Sequence, residues 1–450
     1  MSPSARLRPL CLLLIAAVPF PAAALDLAEV YRRAQTQDPQ FLAEKAAWQA
    51  EATLPAQSRA ALLPQLNARV TRNESENELL ASDFCNIAPD ACRLDAITES
   101  AEFGWSLQLR QSLYNHEYWA RLHQAKARAA QAEASFQAAR QDLILRSAQA
   151  YFAVLEAEDT LALAEAEVEA LEKQLEQTRE RHAVGLAART DLTEAEAQYD
   201  QARAAQILAA NALDAAREAL WALTGLEAPQ LARLRQDPPL RGPDPADKEA
   251  WVQRALAGNL RLKAAQFAAE QADAEVSARR AGHLPRLDLV ASRVYTDASG
   301  ENFGDNREQQ NTVIGLELNI PLFAGFGTRA RVREAVWREA AARDNLEATR
   351  RDVVRSTRNA YQQVLADIAR VQALERALAS AEAAHEATRA GYEVGTRNAV
   401  ELLLALRNTF AARRDLAQAR YAYIVDALRL KAAAGSLAEA DLLAVNAWLK

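Results

Sequence analysis

LILRSAQAYFAVLEAEDTLALAEAEVEALEKQLEQT, residues 143–178, is the stretch whose reading decides the fold. Apolar or small residues recur in it at Leu143, Ser147, Ala150, Val154, Ala157, Leu161, Ala164, Val168, Leu171, Leu175 and Thr178, in alternating steps of four and three. That spacing is a heptad seam. Between these positions sit Glu, Gln, Arg and Ala, all strong helix formers, so propensity and pattern agree. The surrounding residues 115–183 run for 69 residues without a proline or glycine, which predicts one continuous helix. At about 1.5 Å per residue it is on the order of 100 Å long, several times the diameter of a compact domain. It is no ordinary core helix. Leu or Val alternating with Ala lets long neighbours approach closely; a plain coiled-coil rod is the simpler alternative.

The chain then repeats its plan. Ala34–Asp38 matches Ala255–Asn259, and Leu63, Pro64 and Leu66 match Leu284, Pro285 and Leu287. After a loop of different length, Leu113 and Tyr114 answer Leu322 and Phe323. Ala150 and Tyr151 answer Ala360 and Tyr361, Val184 and Gly185 answer Val394 and Gly395, and Gly225 answers Gly435. The second copy carries the same seam through Val353, Ala360, Val364, Val371, Leu374, Leu378 and Ala381. The expected organisation is a signal peptide over 1–24, a first repeat over 25–225, a linker over 226–247, a second repeat over 248–435 and a tail over 436–450. Pro238, Pro239, Gly242, Pro243 and Pro245 mark the linker. In the first repeat, strands are expected over 65–72 and 103–113, the long helix over 115–183 and a returning helix over 191–224.

Arg6 and Arg8 before the apolar run Leu10–Val18, with small residues at 22 and 24, read as a secretory signal. The run is too short to span a membrane. Cys11 lies inside it rather than after the cleavage point, which argues against a lipid-modified N-terminal cysteine. Losing Arg6 and Arg8 moves the net charge from -7 to -9, so nucleic acid is not an expected partner. Export leaves Cys85 and Cys92 in a polar loop, where a local disulfide is expected. A zinc site would need further ligands, and none of the five histidines is near in sequence. A composition 50% hydrophobic and 25% charged, poor in Gly, describes a folded, mostly helical chain.

The strands carry a membrane signal. Leu66, Ala68 and Val70 alternate with Asn67, Arg69 and Thr71; Phe103, Trp105, Leu107 and Leu109 alternate with Gly104, Ser106, Gln108 and Arg110. Ile314, Leu316, Leu318 and Ile320 alternate with Gly315, Glu317 and Asn319, while Leu287 and Leu289 flank Asp288 less cleanly. Such alternation is more often a half-buried sheet of a soluble protein. Here, however, long helices at the ends of each hairpin leave nothing to cover the apolar face. In lipid only a closed barrel satisfies every backbone group, and bacterial barrels have at least about eight strands. Four strands cannot close, so the barrel must be shared between chains.

These residues resemble the TolC family of outer-membrane ducts over nearly all of the chain after the signal. The resemblance rests on the signal, the duplication, the junction Pro321-Leu322-Phe323-Ala324-Gly325, the paired turns Val184-Gly185 and Val394-Gly395, and above all AGYEVGTRNAVELLL at 390–404. It implies a mainly α fold with a small β portion, a long α-helical coiled-coil barrel, and a homotrimer in which three chains close a 12-stranded transmembrane β-barrel. The barrel would sit in outer-membrane lipid and the helices would cross the periplasm. A periplasmic adaptor protein and an inner-membrane transporter are the implied partners.

The turns are where the family works. By their chemistry alone, Gly185 and Gly395 suit left-handed C-terminal caps, while Asp191 with Glu194, and Asn398 with Glu401, suit N-cap and N3 pairs. By resemblance, Asp191, Tyr392 and Arg397 occupy positions that tie inner and outer helix pairs together and hold the periplasmic mouth shut. Glu401 stands where the family has an aspartate ring at the constriction, and Gly185, Leu186, Gly395 and Thr396 form the adaptor-docking tips. The sequence departs at Leu404, which replaces the ring's second aspartate, so weaker cation block is expected. Capping and gating can coexist.

There is no H-E-x-x-H, G-x-S-x-G or Walker loop, and Gly325-Phe326-Gly327 fits a strand-to-helix bend. No enzyme activity, cofactor or metal is expected. The expected function is a passive exit duct of a tripartite efflux or type I secretion system. A periplasmic coiled-coil scaffold without a pore is the alternative from another class. A stand-alone diffusion porin is a further rival, but porins build their pores almost wholly from strands.

Overall fold

A computed structural model describes residues 24–78, 97–227, 229–235, 238–300 and 304–450. The signal peptide to residue 23, Cys85 and Cys92 lie outside the described residues. The first repeat runs α1 (Leu27–Gln37), α2 (Pro39–Glu51), α3 (Leu54–Ala60), β1 (Gln65–Glu78), β2 (Ile97–Tyr114), α4 (His116–Ala183) and α5 (Arg189–Thr224). The second runs α6 (Lys248–Gly258), α7 (Leu260–Arg280), β3 (Arg286–Gly300), β4 (Gly304–Asn319), α8 (Gly327–Glu393) and α9 (Ala399–Ala433); α10 (Glu439–Asn446) closes the chain.

The matched residues at 34–38 and 255–259 turn out to be helix punctuation. Asp38 accepts from the backbone N–H groups of Gln40 (3.2 Å) and Phe41 (3.3 Å), with Pro39 opening α2. Asn259 does the same for α7 by accepting from Leu262 at 3.1 Å. Each cap supplies partners for orphan N–H groups and lets a short helix hand over to the next without a loop. Asn115 caps α4 through Glu117 N–H (3.0 Å), and the helix then runs unbroken for 68 residues.

The long helices pair as α4 with α5 and α8 with α9, and α7 lies between α4 and α8. The seam residues Leu143, Ser147, Val154, Val168, Leu171, Leu175 and Thr178 are buried, as the heptad reading requires. The largest core gathers Leu27, Tyr31, Leu143, Tyr151, Phe152, Leu155, Leu220, Tyr423, Ile424 and Leu442 from both repeats and the tail. Tyr151 donates its hydroxyl to the carbonyl oxygens of Ala232 (2.7 Å) and Leu25 (3.2 Å). The proline-marked segment between the repeats therefore does not hang free. Leu231 and Ala232 are buried in this core, and Leu234 bridges to Leu449.

The strands form one antiparallel sheet in the order β1-β2-β3-β4. They are longer than the alternation foretold: β1 reaches Glu78 and β2 starts at Ile97. Glu74↔Ala101, Ser75↔Ser100 and Glu76↔Glu99 extend the ladder with polar residues on both faces. Backbone pairing needs no apolar face, so a ladder outlives the pattern that reveals it.

Candidate functional site

Register assigns each strand residue to a face, because directly paired residues point to the same side. One face carries the rows Leu66-Leu109-Ala291-Ile314, Ala68-Leu107-Arg293-Thr312 and Val70-Trp105-Tyr295-Gln310. Leu289-Leu316 and Leu287-Leu318 continue it toward the helices. Trp105 and Tyr295 stack with ring centroids 6.1 Å apart. Nothing among the described residues covers this face: Leu66 is 63% and Ile314 75% exposed. The other face carries Asn67-Gln108-Ser292 and Thr71-Gly104-Thr296.

Asp288 belongs to this polar face, which explains why it interrupts Leu287 and Leu289. Its carboxylate accepts from Arg110 at 2.7 Å, and the same guanidinium lies 3.4 Å from Glu317. One arginine on β2 thus ties down acids on β3 and β4. Aromatic and apolar side chains crowd the strand-to-helix junctions. Tyr114, Leu322, Phe323 and Phe326 are all exposed, and Phe323 meets Phe326 edge to face at 5.4 Å. Gly325 and Phe326 both take positive φ (58° and 65°) to turn the strand into α8, so the G-F-G run is a bend.

At the far ends of α4 and α8 the two turns have the same construction. Gly185 (φ 78°) and Gly395 (φ 80°) are left-handed, and open space surrounds both. Leu186 N–H donates to Arg181 O (2.8 Å) and Gly185 N–H to His182 O (3.0 Å); Thr396 N–H donates to Gly391 O (2.8 Å) and Gly395 N–H to Tyr392 O (3.1 Å). Both are Schellman closures, in which only glycine takes the αL position without strain. Val184, Leu186 and Val394 are left exposed at the tips.

Asn398 caps α9 as expected, accepting from Glu401 N–H at 2.8 Å. Asp191 is not the cap of α5. That helix starts at Arg189 with Ala188 as its N-cap, so Asp191 falls at the third helical position and accepts from Ala188 N–H at 3.3 Å. Glu194 instead takes the amide of Gln198 at 2.8 Å. Arg397, in the turn just ahead of the Asn398 cap, lies 3.3 Å from Glu401 in the first turn of α9, so within the protomer its partner is Glu401 and not Asp191.

Tyr392 does reach the other hairpin, through a residue the sequence reading passed over: Arg181 of α4 stands over its ring, 5.0 Å from the centroid. A signal was present. The repeat alignment sets Arg181 against Gly391 and His182 against Tyr392, so the copies diverge at the tips where their seams agree. Behind the tips the hairpins meet through an apolar patch in which Leu403 of α9 packs with Val168, Leu171, Leu175, Ala195 and Ala202. Beside it burial raises the Glu167 carboxyl above its usual range, opposed by Arg414 and Arg407.

The family model described as "Outer membrane efflux protein" matches residues 30–226 and 251–436, one match per repeat. The chain is similar to the outer membrane protein TolC of Vibrio cholerae serotype O1, at 37% identity over 94% of this chain and 94% of that protein. It is also 32% identical to the alkaline protease secretion protein AprF of Pseudomonas aeruginosa, over 95% of this chain and 88% of that one. Its fold matches the Campylobacter jejuni CmeC outer membrane channel with a TM-score of 0.77 at 16% identity, over 94% and 90% of the two chains.

Proposed function

The chain belongs to the outer membrane efflux protein family, and from that premise we propose that it is the trimeric exit duct of a tripartite efflux or type I secretion system. The observation that carries this reading is the uncovered sheet. Among the described residues its edges β1 and β4 have no partner strand and its apolar face has no cover. Three copies joined edge to edge would satisfy both needs at once, with lipid outside and the Arg110-Asp288-Glu317 face toward the lumen. The exposed aromatics at the junctions suit the periplasmic edge of the bilayer. The long helices would cross the periplasm, and substrates would pass passively, energised by an inner-membrane transporter joined through an adaptor.

The tips would be the working end. Val184, Leu186 and Val394 offer an apolar docking surface around Gly185, Gly395 and Thr396, and Asp191, Tyr392 and Arg397 with Arg181 would hold the mouth closed. Glu401 would line the constriction. Cell fractionation tests the whole reading. A heat-modifiable trimer in the outer membrane is expected; a soluble periplasmic monomer would overturn it in favour of a scaffold.

A further inference from the structure

Asp367 of α8 and Asp426 of α9 lie in the seam of the second long hairpin, 3% and 9% exposed. Above and below them the seam is apolar: Val364, Val371, Tyr423 and Leu430 are all buried. Oδ1 of Asp367 accepts from Gln363 Nε2 at 3.0 Å, whereas Oδ2 is buried without a hydrogen-bond partner. Arg429 holds Oδ1 of Asp426. The two side chains are in hydrogen-bonding contact; two carboxylates in contact out of water cannot both carry charge cheaply, and an orphaned acceptor adds to the cost.

The duplication supplies an internal control. The alignment that sets Ala150 against Ala360 and Gly225 against Gly435 sets Ala157 against Asp367 and Ala216 against Asp426. Ala157 and Ala216 pack against the main core. The same layer of the first hairpin is therefore closed by two methyl groups, so the fold does not require acids there. Seam positions 147 and 357, by contrast, keep a small buried hydroxyl in both copies.

We propose that Asp367 and Asp426 share one proton, with the Oδ2–H of Asp367 donating to the Asp426 carboxylate, as an acid-dependent latch between α8 and α9. The proton is the donor that the orphaned oxygen lacks. Burial raises the Asp367 carboxyl to about 6, the Asp426 charge and contact push the same way, and Gln363 and Arg370 oppose them. Because that value lies above the ordinary 3.8, the latch is fully closed in acid and its stabilisation is lost as pH rises through about 6. Of the elements alongside, α4 brings Asp159, engaged by the Tyr421 hydroxyl at 2.6 Å, and the inter-repeat segment brings Arg241, whose backbone holds Tyr423. The latched hairpin is the one that carries Tyr392, Arg397 and Glu401. The latch itself does not depend on those residues forming a gate.

The test uses the full chain purified in detergent, with Asp367→Ala/Asp426→Ala copying the first repeat. Infrared difference spectra between wild type and double variant should show a protonated-carboxyl C=O band at about pH 5 that is gone by about pH 8. The unfolding midpoint of wild type should fall by on the order of 2–4 °C more than that of the double variant over the same range. Asp367→Asn, whose amide is a permanent donor, should remove this pH dependence without loss of stability in acid. Equal pH profiles for wild type and double variant, or no carboxyl band separating them in acid, would overturn the proposal. A difference spectrum of wild type alone between about pH 5 and about pH 8 carries the same protonated-carboxyl band, so the test stands even where a variant folds poorly.

Discussion

The guanidinium of Arg181 lies 5.0 Å from the centroid of the Tyr392 ring and joins the last turn of α4 to the last turn of α8. It links the two hairpins at their tips through the face of the ring and not through the phenol hydroxyl.

That distinction is testable. A cation over this half-buried ring is worth on the order of 1 kcal/mol, and in the proposed trimer it recurs in every copy. Arg181→Ala with Arg397→Ser should therefore raise single-channel conductance in planar bilayers several-fold. Tyr392→Phe keeps the ring and should change conductance much less than Tyr392→Leu. Asn398→Ala, which removes a helix cap, should leave conductance alone. Wild-type conductance in the arginine double variant would count decisively against a gate at these residues.

Open space around Gly185 and Gly395 makes the tips sensitive through backbone strain alone. Gly185→Leu or Gly395→Leu would force a side chain into the left-handed region at a cost of about 1–2 kcal/mol and reshape the turn. On the proposed function, crosslinking to a periplasmic adaptor and substrate export should drop in both, with the proposed trimer and barrel intact. If crosslinking and export stay at wild-type levels, the docking surface lies elsewhere.

Asp288 is the more buried partner of the Arg110 bridge across three strands. Asp288→Ala strands the guanidinium beside Glu317 alone, at a cost of about 1 kcal/mol per chain, because the arginine stays half exposed. The temperature at which the proposed trimer dissociates in detergent should fall by a few degrees, and high salt should narrow the gap to wild type. A dissociation temperature that does not move would mean the bridge contributes nothing to barrel stability.

Tyr151→Phe leaves the carbonyls of Leu25 and Ala232 without their shared donor in the core. The expected loss is about 1–2 kcal/mol. Limited proteolysis should then cut faster in the segment around residue 232, whereas Tyr423→Phe should expose the segment around Arg241, which its hydroxyl holds. Unaltered cleavage in both would show that apolar packing alone secures the inter-repeat segment.

Whatever a short window of residues can express was legible in the sequence. The heptad from Leu143 to Thr178 determined α4, because a repeating seam is a local property of the chain. The agreement of Val184-Gly185 with Val394-Gly395 determined the duplication and both turns, because only glycine closes such a helix end without strain. Alternation at Leu66–Thr71 and Phe103–Arg110 determined which strand faces are apolar. The lengths of the strands escaped, since a backbone ladder continues past Glu74 where the side chains cease to alternate. The place of Asp191 escaped too, because a start at Arg189 or at Leu192 depends on where the Gly185 turn releases the chain. Arg181 over Tyr392, and Asp367 against Asp426, were decided only by tertiary structure. The first pair comes from separate hairpins and the second from facing helices, so their contacts depend on how whole helices are phased, a quantity that no single stretch of the chain carries.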